Sequence, residues 1–109
     1  MKTPKPGQPV RGSRSGRPIM TLLDLLGRRM ALRVLWELSL ADGPLTFRAL
    51  AAAAETNPSV LNARLKELRE SRLVDHSGEG YRLTAEGRSL VVLVLPLHEW
   101  AEGWALASS

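Results

Sequence analysis

From Leu22 onward the apolar positions of this chain fall at helical spacing, switch to strand-like alternation after Leu73, and return to helical spacing after Thr84. Thr21 is placed to cap a short helix, Leu22 to Leu26, that Gly27 ends. A second helix follows from about Arg28 to Ala41, with Met30, Leu32, Val34, Leu35, Leu38 and Leu40 covering a broad face. Asp42-Gly43-Pro44 stops it, because glycine suits a left-handed cap and proline cannot continue a helix. Leu45-Thr46 reads as a brief extended stretch, and Thr46 as the cap of a third helix, Phe47 to Glu55, rich in alanine. Asn57-Pro58, a capping residue and then a proline at the first helical position, opens a fourth helix that runs to about Ser71. Two short strands, Leu73 to His76 and Tyr81 to Leu83, flank the loop Ser77 to Gly80. Thr84 caps a last helix towards Trp104, with Glu86 in its first turn favouring the dipole. Pro96 should kink that helix or divide it in two.

The fold class is therefore mainly α with a small β-hairpin (α+β). A short turn between two helices, the second capped by Asn57, is the helix-turn-helix layout, and the hairpin after it makes a winged helix-turn-helix. Leu61, Leu65 and Leu68 form the apolar stripe of the fourth helix, with the stem of Arg72 continuing it. That leaves Ser59, Asn62, Ala63 and Lys66 pointing outward. Asn pairs with adenine, Ser contacts bases or phosphates, the Ala methyl meets thymine's methyl, and Lys takes a phosphate or a guanine edge. Glu67 and Glu70 lie further along, where a helix entering the groove by its N-terminus would leave it. Arg64 flanks the stripe and can reach a phosphate or pair with a nearby acid. Arg82 points opposite to Tyr81 and Leu83 by strand alternation and can meet a phosphate from the wing. Thr46 and Arg48, at the start of the third helix, complete the candidate DNA-contacting set. A solvated helix face is the plain alternative for any amphipathic helix alone; the turn before it and the hairpin after it favour DNA.

Composition narrows the chemistry. The 109 residues suffice for one domain with one core. Cysteine is absent, which removes disulfides, thiolate metal sites and thiol redox sensing. The two histidines, His76 and His98, are far apart in the chain, so neither a zinc site nor a His-based catalytic centre is expected; carboxylate ligands stay open, and no cofactor is expected. No Ser/His/Asp set, Gly-rich phosphate loop or paired-carboxylate motif suggests an enzyme. The formal charge of +4 is unevenly spread. Residues 1–18 carry Lys2, Lys5, Arg11, Arg14 and Arg17 and no acid; residues 19–109 hold ten basic and eleven acidic residues, a net −1. The first 18 residues, rich in Pro, Gly and Ser, read as a disordered basic tail ahead of a domain spanning 19–107. That tail is either an arm for DNA phosphates or a solubilising extension. The longest apolar run, Leu90 to Leu97, is too short to span a bilayer, and no apolar segment of signal-peptide type follows the basic start. A cytoplasmic protein is the expectation, with no membrane partner.

The order of these elements resembles the HxlR-type winged-helix regulators, a branch near the MarR family. Residues 25–38, LLGRRMALRVLWEL, are similar to the family's L-I-G-G-K-W-T-L-L-I-L-R-E-L opening. Gly43 to Leu50 resembles its G-x-x-R-F-x-E-L segment, Asn57 to Leu68 its S-P-K-V-L-T-Q-R-L-R-E-L recognition helix, and Tyr81 to Arg88 its Y-x-L-T-x-x-G-R. Trp100 and Trp104 fit a terminal W-x-x-x-W. The resemblance implies a three-helix core plus wing, a homodimer joined by its first and last helices, and a transcription regulator that binds double-stranded DNA at a pseudo-palindromic operator. Leu22, Leu23, Leu26, Val91, Val92, Leu95, Leu97 and Trp100 supply apolar material for such a dimer, and the alternative is that they complete the monomer core. Many relatives sense oxidants through a cysteine before the first helix, and that device is closed to this chain. Arg28 stands where the family has a glycine, Met30 where it has an aromatic, and the wing is short.

A small-molecule effector of unknown identity would sit between the second and last helices, where Met30, Trp36 and Trp100 could line it; core packing explains those three equally well. The competing function is a winged-helix module that binds a protein and not DNA.

Overall fold

The computed structural model describes residues 3–9 and 16–109. Lys2, Arg11 and Arg14 of the expected tail lie outside the described residues. The elements run α1 (Pro18–Leu26), α2 (Ala31–Leu40), α3 (Phe47–Ala53), α4 (Pro58–Glu70), β1 (Val74–Ser77), β2 (Gly80–Leu83) and α5 (Ala85–Ala107).

Three caps predicted from the sequence are made. Thr46 Oγ1 accepts from Ala49 N–H, Asn57 Oδ1 from Val60 N–H and Thr84 Oγ1 from Gly87 N–H, at 3.1, 2.9 and 3.0 Å. Each satisfies one of the amides that a helix start leaves open. Thr21 is a correction. It is not a cap, because α1 begins at Pro18, whose fixed φ suits a first helical turn. Thr21 lies inside the helix, buried, with its hydroxyl donating to Arg17 O at 3.3 Å. The second helix also starts later than expected. Gly27 to Met30 form a turn, and Met30 takes a left-handed conformation (φ 70°) at the head of α2.

Leu25, Val34, Leu35, Leu38, Leu50, Leu61, Leu65, Leu68, Val74, Leu83 and Val91 form one core. It is shared by α1 to α4, the root of the hairpin and the first turns of α5. β1 and β2 pair antiparallel, with Val74 opposite Leu83 and His76 opposite Tyr81. The extended stretch before α3 joins them: Leu45 N–H donates to Tyr81 O at 2.9 Å and Tyr81 N–H to Leu45 O at 2.7 Å. Gly80 makes this approach possible, since a Cβ there would stand 2.5 Å from Leu45 O at a φ of +133°. Gly87 does the same for α5, where a Cβ would come within 2.1 Å of Leu73 O.

α5 runs unbroken through Pro96. Proline withholds one amide from the carbonyl four residues earlier, and the helix on either side carries that single loss. Arg72 does not extend the α4 stripe. It follows the helix in a left-handed conformation (φ 62°) and is exposed.

Candidate nucleic-acid interface

α4 presents two faces of different character. Leu61, Leu65 and Leu68 are fully withdrawn into the core. Ser59, Asn62 and Lys66 are exposed on the other side, with Ala63 half-buried between them. Arg69 and Glu70 are also exposed, towards the C-terminal end. The first turn holds no acid, so its positive dipole end is free of competing negative charge.

The sequence places Glu67 wrongly. Its side chain is only 8% exposed and faces inward, where it meets the Arg28 guanidinium in a short charge-assisted hydrogen bond. Arg28 also lies 3.6 Å from Asp24, so the turn after α1 grips α4 through a buried ionic cluster. Arg64, predicted as a phosphate or ion-pair residue, takes the second role. Its Nε is 2.8 Å from Glu67 Oε1, though off hydrogen-bond alignment, and its Nη1 donates to Arg29 O at 3.2 Å. The partners are 39 residues apart for Arg28 and Glu67, and no local spacing announces them. The one available signal is Arg28 itself, a cation where the resembled family has a glycine.

The other predicted contacts are spread around α4. Thr46 spends its hydroxyl as an acceptor on the α3 cap, while Arg48 is exposed in the first turn of that helix. Arg82, exposed on β2, lies 3.8 Å from Asp75 across the hairpin. Such a solvent-facing pair is worth less than about 1 kcal/mol and yields easily to a phosphate. His76 stacks on Tyr81 at 4.1 Å between ring centres, stiffening the wing.

Two clefts flank the exposed face of α4. On the wing side, Asn62, Lys66, Arg69 and Glu70 face Asp75 and Tyr81 across about 500 Å³. On the opposite side, Ala63, Lys66, Glu67 and Glu70 face Thr3, Lys5 and Gln8 of the N-terminal segment across about 700 Å³. Residues 3–9 thus lie against the body, with Pro4 buried.

The helices predicted to join two protomers are unevenly buried. Leu22 and Leu26 are half-buried and Leu23 is exposed. Val91, expected at a dimer contact, belongs to the core instead. Val92, Leu95, Leu97 and Trp100 are exposed as expected, and so are Ile19 and Leu93, which the sequence pattern did not single out, and Trp104, noted there only for the resemblance. The signal for those was present: Leu93, Leu97, Trp100 and Trp104 are spaced four, three and four apart, the repeat of a helical seam. Trp100 and Trp104 stack along it at 6.0 Å between ring centres. By length and composition α5 would also pass for a membrane span, with mean hydropathy 1.3 over 18 residues. Its first turns, however, are committed to the core through Gly87 and Val91.

A winged helix-turn-helix architecture agrees with comparison to known proteins. The family model for HxlR-like helix-turn-helix proteins matches residues 25–109. The chain belongs to the HxlR-like helix-turn-helix family. The quinone-bound YodB of B. subtilis has a similar crystal structure, with TM-score 0.72 and 27% identity over 78% of this chain and 96% of that one. A possible HxlR family transcriptional factor from Thermoplasma volcanium GSS1 shares the fold, with TM-score 0.71 and 24% identity over 81% of this chain and 84% of that one. No curated protein sequence matches the chain. As an HxlR-like protein it is a DNA-binding transcription regulator and not an enzyme.

Among HxlR-like features, the candidate effector residues do not form a single group. Met30 heads α2, Trp36 packs against His98 of α5 at 5.3 Å between ring centres, and Trp100 stacks on Trp104. Trp36 instead borders a cleft of about 560 Å³ with Leu40, Arg88, Val92 and Leu95.

Proposed function

We propose that the protein is a homodimeric, sequence-specific transcription regulator that sets α4 into the major groove and its wing on the flanking backbone. The observation that carries this is the exposed row Ser59, Asn62 and Lys66 on a helix whose opposite side is wholly buried. Asn62 reads adenine, Lys66 a guanine edge or a phosphate, and Ser59 a base or phosphate near the helix start. Arg82 leaves Asp75 for a phosphate, and Arg48 reaches the strand beside α3.

Two copies join through α1 and α5. The exposed seam Leu93, Leu97, Trp100 and Trp104 on α5, together with exposed Ile19 and Leu23 on α1, is apolar surface of the kind that interfaces cover. A two-fold pair then presents two α4 helices to successive grooves, about one helical turn apart on a pseudo-palindrome. A DNA target makes the cytoplasm the site of action. The cleft beside Trp36 is where a small effector would bind, and with no cysteine in the chain it would be held without a thiol bond.

The test is selection of bound duplexes from random DNA, followed by band shifts with the recovered operator. Asn62→Ala with Lys66→Ala should lose sequence preference, at about 1–3 kcal/mol for each base contact removed. Absence of any sequence-selective shift at low salt would overturn the proposal. It would favour the second reading, a protein-binding winged helix, which the net charge of −1 on residues 19–109 keeps in view.

A further inference from the structure

The charges on the reading face are partly offset, with exposed Arg48, Lys66, Arg69 and Arg82 set against Glu70 and Asp75. Lys66 and Arg69 stand beside Glu70, and Arg82 beside Asp75. A surface so offset gains less from the counterion release that drives most protein–DNA association. The surplus positive charge of the chain lies instead in its first 17 residues.

The described part of that segment is held in place. Pro4 and Gly16 are buried. Gly7 N–H donates to Gly16 O at 2.8 Å, and Gln8 N–H to Lys5 O at 3.2 Å, closing a turn. Gly16 sits at φ +70°, and a Cβ there would meet the Gly7 carbonyl carbon at 2.5 Å. Pro4 and Lys5 also border a second, largely apolar cleft against Leu22, Leu25 and Leu73, on the α1 side of α4. Lys5 therefore stands on the flank of α4 opposite to the wing, and Lys66 and Glu70 border both flanking clefts. Ser59, Asn62 and Lys66 remain exposed, so the segment lies beside the reading face and does not cover it.

We infer that residues 3–9, locked to Gly16, form a second wing: a docked basic arm whose Lys5, with the exposed Arg17 that follows Gly16, contacts the phosphate strand on the side of α4 that the β-hairpin does not reach. The ligand is the backbone of double-stranded DNA, bound without regard to sequence. The inference rests on the DNA-binding mode proposed above. It adds a contact surface from outside the helix-turn-helix and hairpin, one that offsets the charge deficit of the body.

Fluorescence anisotropy on the full-length chain tests it, using a selected operator duplex and an unrelated duplex of equal length across a salt series. Lys5→Ala with Arg17→Ala should weaken binding to both duplexes alike, because phosphate contacts carry no sequence information. The slope of log affinity against log salt should fall by about 0.9 for each cation removed per protomer. Gly16→Ala keeps every charge but displaces the arm, and it should weaken both duplexes in the same direction. Unchanged slopes in the double variant, or tighter binding, would overturn the arm as a DNA contact. Full affinity in Gly16→Ala would overturn its docked placement. If the parent chain itself shows no selective binding, the DNA-binding mode fails; if the parent binds selectively and the variants match it, only the arm fails.

Discussion

α4 and α5 are both amphipathic, yet one is finished within the protomer and the other is not. α4 buries all of Leu61, Leu65 and Leu68 and adds an ionic grip from Arg28 on Glu67. α5 buries Gly87 and Val91 near its start, then carries Leu93, Leu97, Trp100 and Trp104 into solvent. The contrast separates two jobs. The orientation of α4 is settled within one chain, whereas the far half of α5 leaves its large apolar side chains exposed. In the proposed dimer, contact with DNA would draw on the rigidity of α4 and the joining of two copies on the unfinished face of α5.

The comparison can be broken at either helix. The largest effect is expected from Glu67→Ala, which takes from a buried site the carboxylate that Arg28 and Arg64 both face. Losing one member of a buried ionic cluster costs about 3 kcal/mol or more, and denaturant titration should show that loss at every protein concentration. Glu55→Gly should act the other way. Glu55 turns the chain between α3 and α4 at φ 53°, a strained conformation for a residue with a Cβ. Relief of that strain should raise the unfolding free energy by about 1 kcal/mol, and a lower value would show that the Arg33 contact to Glu55, 3.9 Å long, matters more than the backbone. The smallest effect on the protomer is expected from Trp100→Lys with Trp104→Lys, within about 0.5 kcal/mol for exposed positions. The same pair should abolish self-association in sedimentation and remove any concentration dependence of Tm. A protomer that unfolds with these two changes would mean that the end of α5 is core after all.

The residues that were legible in the sequence act over short range. Thr46, Asn57 and Thr84 announce their caps within three residues, and the Leu61, Leu65, Leu68 stripe declares its own burial by spacing. What escaped is long-range. Glu67 looks like a surface acid until a cation 39 residues earlier is folded against it. The start of α1 was hidden by the Pro/Gly-rich composition before it, because proline opens a helix as readily as it ends one. Leu93 and Trp104 were legible in spacing but not in burial: a seam that faces a second chain has the same pattern as one that faces the core. The Leu45–Tyr81 bridge joins residues 36 apart and has no local mark beyond Gly80.

That bridge has a mechanical outcome. With Leu45 laced to Tyr81 just ahead of α3, the hairpin cannot swing away from the helix-turn-helix without breaking two backbone hydrogen bonds. The hairpin, α3 and α4 therefore turn as one stiff reading head. In the proposed dimer, any adjustment of one head against the other would fall to the stretch of α5 that leaves the core beyond Val91.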